Sequence, residues 1–359
     1  MADQGCGRVF PDGARRGESP AVPRLPQTQR LYLAVPHRGA QRAEVRVYAV
    51  EFAPLRRYKT ILLPQMKGGF NHMAIDPRRQ RLFAAAPADK SLEVVDLATG
   101  KPLRSLAGGA AAARFAPELD QLYVARGRTV VLFDGENMNV TATVEMPSAI
   151  DELQYDAAAK RLYAGCISAG AYGLSVIALP EGKLLGTIPL PAKPQGIALE
   201  TGGSRLFANL PSVQQVAVVD RVKQTVLATW PVNAARRNYP IAFDAANRRV
   251  FLGCREPASL LVLDAENGKV VASVPIAGDI DELFFDAAHQ RIYVTCGAGE
   301  VAVIGQTDAD HYQRLALLPT AAGARTSAFS PDSGLLCVGV PAANNEGARI
   351  MVLRANNPP

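Results

Sequence analysis

Tryptophan is almost missing from this chain: a single one among 359 residues. Long apolar runs are missing too, and nothing reaches the roughly 18 consecutive residues that a spanning helix needs. No helical periodicity of useful length appears. The five cysteines, Cys6, Cys166, Cys254, Cys296 and Cys337, form no CxxC pair, which removes the commonest metal and redox spacings. No GxSxG elbow, phosphate-binding loop, dinucleotide fingerprint or haem-attachment motif occurs. The four histidines, His37, His72, His289 and His311, sit in unrelated parts of the chain, so a three-histidine metal centre is hard to assemble. The stretch from Met1 to Pro20 is polar and lacks the apolar core of a secretory signal. As written, the chain is expected in the cytoplasm; a different start would turn that expectation to the periplasm or the exterior.

Charge of one sign is scarce except at the N-terminus. The formal net charge is +6. Residues 1–59 hold 11 Lys and Arg against 5 Asp and Glu, while residues 60–359 hold 28 of each kind. The body therefore has no basic stripe to follow a phosphate backbone, and nucleic acid is not its expected partner. Residues 1–23 read as a basic, disordered tail.

What the chain does have is a repeat. An acidic or Pro-containing turn, a basic residue and a short apolar strand recur as DPRRQRLFAA from Asp76, APELDQLYVA from Ala116 and DAAAKRLYAG from Asp156. ETGGSRLFAN from Glu200, DAANRRVFLG from Asp244, DAAHQRIYVT from Asp286 and SPDSGLLCVG from Ser330 follow. The residue at the basic position advances through 81, 121, 161, 205, 249, 291 and 335. A second beat follows each copy, as in LEVVDLATGK and LLVLDAENGK, and then a third strand such as TVLATWPV. Runs rich in Val, Ile, Leu and aromatics, bounded by Asp, Gly, Asn or Pro, are strands. Self-similarity at this period, with strands apolar on both faces, predicts radial repetition: an all-β, seven-bladed β-propeller of four-stranded antiparallel blades. Cys166, Cys254 and Cys296 end the same strand of different blades, too far apart for a disulfide, and read as buried thiols.

The forms LYVA, LEVVDLATGK and RIYVTCGAGEVAVI resemble the YVTN family of β-propellers, close to its YncE-like group. The resemblance covers roughly residues 58–355. It implies a blade completed by strands from both chain ends, here Arg57–Pro64 with residues 324–355, so that residues 57–355 form the propeller. Residues 24–56 are then surplus. RLYLAVPHRGAQRAEVRVYAV, from Arg30, resembles GLLCVGVPAANNEGARIMVLRA, from Gly334: a strand, a V-P turn with a polar loop, and a second strand. The spare element leaves three alternatives open: an eighth blade, a hairpin that displaces or competes with its C-terminal copy, or an appended relic of an upstream tandem copy.

In a propeller the residues just before each innermost strand crowd one mouth of the central channel. Here they supply His72, Arg114, Asp151, Glu152, Gln195, Asn238, Asp281, Glu282 and Arg325. Such a ring suits a ligand site, because it offers an imidazole, two acidic pairs and several guanidinium or amide donors. Hydration of a wet strand end would also tolerate polar groups, and the two IDEL copies also read as repeat consensus. Two functions of different class follow. One is a non-catalytic scaffold binding a small molecule or protein at the mouth. The other, by analogy of fold, is a lactonase-like hydrolase. No cofactor and no resident metal are expected, a hard divalent cation in the channel being the one alternative. The chain is expected to be a monomer without a transmembrane segment.

Overall fold

The computed structural model describes residues 29–36, 43–50, 53–343 and 346–356. The expected tail, residues 1–23, lies outside them. The described chain falls into two compact units, one within residues 1–52 and the other spanning residues 53–357.

The larger unit is the propeller, with seven four-stranded antiparallel sheets. Blade one shows the pattern. Met73–Asp76 is innermost, followed outward by Arg81–Ala86, Ser91–Asp96 and Lys101–Ala107. The innermost strands of the next six blades are Ala112–Ala116, Ile150–Asp156, Ile197–Leu199, Arg236–Asp244, Ile280–Asp286 and Ser327–Ser330. Each touches its two neighbours, which closes the ring around a channel.

The repeat motif is a turn with a clamp. Asp76 Oδ1 accepts from the backbone N–H groups of Arg78 and Arg79 at 3.0 and 3.1 Å. The residue before the basic position takes a left-handed conformation: φ is 49° at Gln80, 49° at Lys160, 53° at Arg248 and 51° at Gln290. That geometry fits a tight loop between antiparallel strands, and Gly334 supplies it at φ 63° in blade seven. The basic residue then ties blades together. Arg205 donates to the Ala265 carbonyl of the next blade at 2.7 Å, and Arg249 reaches Asp310 at 2.7 Å. Behind each clamp sits a fully buried aromatic: Phe83, Tyr123, Tyr163, Phe207, Phe251 and Tyr293. Cys337 holds that position in blade seven. The apolar clusters straddle neighbouring blades, as where Leu82 and Ala84 pack with Cys337 and Ile350. The core thus lies between sheets, so both faces of the middle strands are apolar.

Blade seven joins the two ends of the propeller. Ser327–Ser330, Leu335–Val340 and Ala348–Ala355 come from the C-terminal side, and Leu55–Leu63 pairs outermost with Ala348–Ala355. The closing strand begins two residues before the expected Arg57, and Pro64 lies just past its end. Among the described residues the four-stranded sheets number seven, and the smaller unit contains a two-stranded antiparallel sheet, Gln29–Pro36 with Ala43–Val50. Its register copies that of the C-terminal hairpin: Arg30↔Ala49 and Leu335↔Arg354 enclose equal lengths of chain, as do Val35↔Glu44 and Val340↔Arg349. Among the described residues no helix is long and apolar enough to cross a membrane.

Candidate functional site

His72 stands one residue before the innermost strand of blade one and bridges to Ala112 of blade two. Its imidazole meets carboxylates from two other blades. Nδ1 lies 2.7 Å from Glu282 Oε1 of blade six, and Nε2 lies 3.6 Å from Glu152 Oε2 of blade three. Arg114 of blade two donates from Nε to the Leu153 carbonyl at 2.9 Å, which sets its Nη2 3.4 Å from Glu152 Oε1.

Local backbone explains how Glu152 and Glu282 come to face one histidine. Both belong to IDEL segments, and in both the strand register slips between the Ile and the Glu. The slip is a β-bulge at Asp151 and Asp281, and a bulge re-aims the side chains next to it. The two adjacent acids consequently part. Glu152 and Glu282 turn to His72, whereas Asp151 contacts Lys193 Nζ at 3.4 Å and Asn71 Nδ2 at 3.4 Å. Asp281 accepts from Arg255 Nη2 at 2.9 Å, and the Arg255 guanidinium lies 3.9 Å over the Tyr239 ring.

Electrostatics follow from this packing. Burial alone would lower the pKa of His72, but the charges of Glu152 and Glu282 and the hydrogen bond to Glu282 outweigh it, holding the ring well above its ordinary value. The flanking carboxylates thus favour the imidazolium form of His72, in which Nδ1 donates to Glu282. Glu152 is raised by burial, against the pull of His72 and Arg114. Asp281 is raised by burial as well, against His72 and Arg255.

A cavity of about 670 Å³ begins at this layer. Six of the nine residues singled out in the sequence line it: His72, Arg114, Glu152, Gln195, Asp281 and Glu282. The other three go elsewhere. Asp151 is engaged by Lys193. Asn238 is fully buried and holds blade five to blade four, donating from Nδ2 to Asn209 Oδ1 at 2.8 Å and to the Gln215 carbonyl at 3.0 Å. Arg325 is exposed and pairs with Asp279 at 3.0 Å.

The cavity extends beyond the expected mouth. It runs along the innermost strands past Ile241, Phe243, Leu283, Phe284, Phe285 and Phe329 to the turn residues Ala157, Thr201 and Pro331 at the opposite end. The His72 end is charged, hydrocarbon and aromatic side chains line the wall beyond it, and the turn end is charged again, with Asp156, Glu200 and Arg221. The aromatic wall carries a signal in the repeat, because the residue before each turn acid is apolar and usually aromatic: Tyr155, Phe243, Phe285 and Phe329 all occupy it. Among the described residues, no three His, Cys, Asp or Glu side chains are arranged to hold a metal.

These features define a seven-bladed β-propeller with an amphipathic central channel. The chain matches no protein-family model and no curated protein. Among solved structures it is similar to a chain of Kuenenia stuttgartiensis hydrazine synthase, with 17 % identity and a TM-score of 0.69 over 81 % of this chain and 96 % of that one. It is also similar to a chain in the crystal structure of the mitotic checkpoint complex, with 16 % identity and a TM-score of 0.71 over 91 % and 100 %. At such identity the shared property is the fold.

Proposed function

We propose that the chain is a YVTN-type, YncE-like propeller that binds a small molecule in its central channel. The observation that carries this reading is the meeting of His72, Glu152 and Glu282, from three blades, at the end of a cavity of about 670 Å³. That volume lies within the range of small-molecule sites, and a hydrocarbon wall with a few convergent polar groups is their usual chemistry. A hydrolase would need a base beside the susceptible carbonyl. His72 stands between two carboxylates, a setting that favours its protonated, donor form and supports binding over lactonase-like turnover. The balance of 28 basic and 28 acidic residues over residues 60–359 gives nucleic acid no electrostatic foothold. No cofactor enters this reading, and the protein is taken to act as a monomer.

The test is a metabolite library screened by thermal shift on the full chain and on Phe285→Ala and His72→Ala, with metal analysis and a panel of lactones and esters alongside. The expected result is one or more stabilising compounds whose effect shrinks in both variants, with no turnover. Hydrolysis abolished by His72→Ala would replace the binding reading with the enzymatic one. Ligands that stabilise all three proteins equally would move the site out of the channel.

A further inference from the structure

The charged end of the channel leaves one carboxylate weakly paired. Three carboxylates line it, Glu152, Asp281 and Glu282; the lining cations are His72 and Arg114, and Arg255, outside the lining, answers Asp281. Asp281 uses Oδ1 for Arg255 and Glu282 uses Oε1 for His72. Glu152 is the least satisfied. Its side chain is only 9 % exposed, yet its nearest charged donors stand at 3.4 and 3.6 Å. A good charge-assisted hydrogen bond spans about 2.7–2.9 Å, and a buried carboxylate without one is costly. The flanking charges do not correct the deficit, because Asp151 pairs with Lys193, and Asp279 pairs with Arg255 and Arg325.

We infer that the channel takes a primary amine with an aromatic or alkyl body, its ammonium set among Glu152, Asp281 and Glu282 and its body along Phe243, Phe284, Phe285 and Phe329. The inference rests on the channel-binding reading above and names the ligand class. An ammonium brings three rotatable donors to three carboxylates. The neighbouring rings favour a cation over their faces and hydrocarbon elsewhere. The raised pKa values of Glu152 and Asp281 point the same way, since a bound cation would relieve both. A carboxylate ligand would meet three like charges, and an uncharged one would leave Glu152 as it is. A bare hard cation asks for six to eight oxygen ligands, and here hydrocarbon adjoins the acids.

Three probes with a common indole-ethyl body separate these cases: tryptamine, its alcohol counterpart tryptophol, and the carboxylate indole-3-propionate, each titrated by calorimetry into the full chain. Tryptamine is expected to bind at least about tenfold more tightly than the other two, as a charged hydrogen bond added to a buried partner should. Glu152→Gln should remove most of that advantage while leaving tryptophol unchanged, and Phe285→Ala should weaken all binding. Circular dichroism establishes that each variant is folded, and Asp281→Asn carries the same comparison should Glu152→Gln fail. Tryptophol or indole-3-propionate binding as tightly as tryptamine, with loss in Phe285→Ala, would overturn the amine assignment and leave the channel site standing. Competition by calcium ion alone, or no binding by any of the three probes, would also overturn it, while the library screen judges the channel itself.

Discussion

Arg291 donates from Nη1 to the carbonyl oxygen of Pro54 at 2.9 Å, and from the same nitrogen to that of Asn356 at 2.6 Å. One buried guanidinium of blade six thereby grips both strands that close blade seven. Asn356 completes the grip, with its N–H on the Pro54 carbonyl at 3.1 Å and its side chain on Ala53 at 2.7 Å. Arg291→Ala should cost about 2–3 kcal/mol, the range for hydrogen bonds from a charged donor whose acceptors stay buried. Urea denaturation measures it. A loss within about 0.5 kcal/mol, typical of a surface change, would mean that closure does not depend on this residue.

The His72 cluster should make stability depend on pH in a defined direction. Its folded pKa is raised above the unfolded value of about 6.5. The stabilisation is complete below that unfolded value and is lost as pH rises through the raised folded one. Wild type should therefore lose melting temperature on the alkaline side relative to its value near pH 6, and His72→Gln should lose less. Glu152 and Asp281, also raised, act in the same direction over their own titration range: each disfavours the fold while ionised, and that penalty fades as pH falls through its raised value. Parallel melting curves for wild type and His72→Gln across alkaline pH would contradict the assignment, and the ring-proton shift of His72 in NMR reads its titration directly.

Gly196 lets two blades approach each other. Its N–H donates to the Tyr239 carbonyl at 3.0 Å, and a Cβ on it would lie 2.6 Å from that oxygen and 3.0 Å from the Ile241 nitrogen. Both obstacles are backbone, so Gly196→Ala must spread the innermost strands of blades four and five. The expected cost is about 1–3 kcal/mol, read as a lower melting temperature, together with weaker ligand binding because Gly196 lines the channel. An unchanged melting temperature would show that the strands part freely.

The thiols should be inert in the native protein. Cys166, Cys254, Cys296 and Cys337 are all buried, and burial pushes the last three up to about 12. A thiol reagent at mildly alkaline pH should leave these four untouched until denaturant is added. Rapid labelling of any of them in the native state, mapped by mass spectrometry, would contradict the packing between blades.

The fold was legible because every blade spells it again. The turn acid, the left-handed residue and the clamp recur, so one damaged copy, such as Leu335 in place of the basic residue, does not hide the period. The site was legible in its residue types and not in its partnerships. IDEL announces two acids side by side, but only the bulge decides that Glu282 meets His72 while Asp281 meets Arg255. Asn238 reads as a member of the ring because it stands just ahead of the apolar run of an innermost strand. A register shift between Asn238 and Ile241 instead accompanies its turn inward to Asn209. The aromatic wall lies beside each turn acid in the sequence, but its role is not legible there, since an apolar strand residue looks the same whether it faces a neighbouring blade or an open channel.

The way Arg291, Pro54 and Asn356 meet has a consequence for the order of the chain. With residues 53 and 356 in hydrogen-bond contact, the covalent order of the blades is cyclic in space: the ring has no first blade. A short splice between those positions, with a new opening cut into any outer turn such as the one at Thr99, would keep every sheet and every clamp while changing which blade is made first and which must wait for closure.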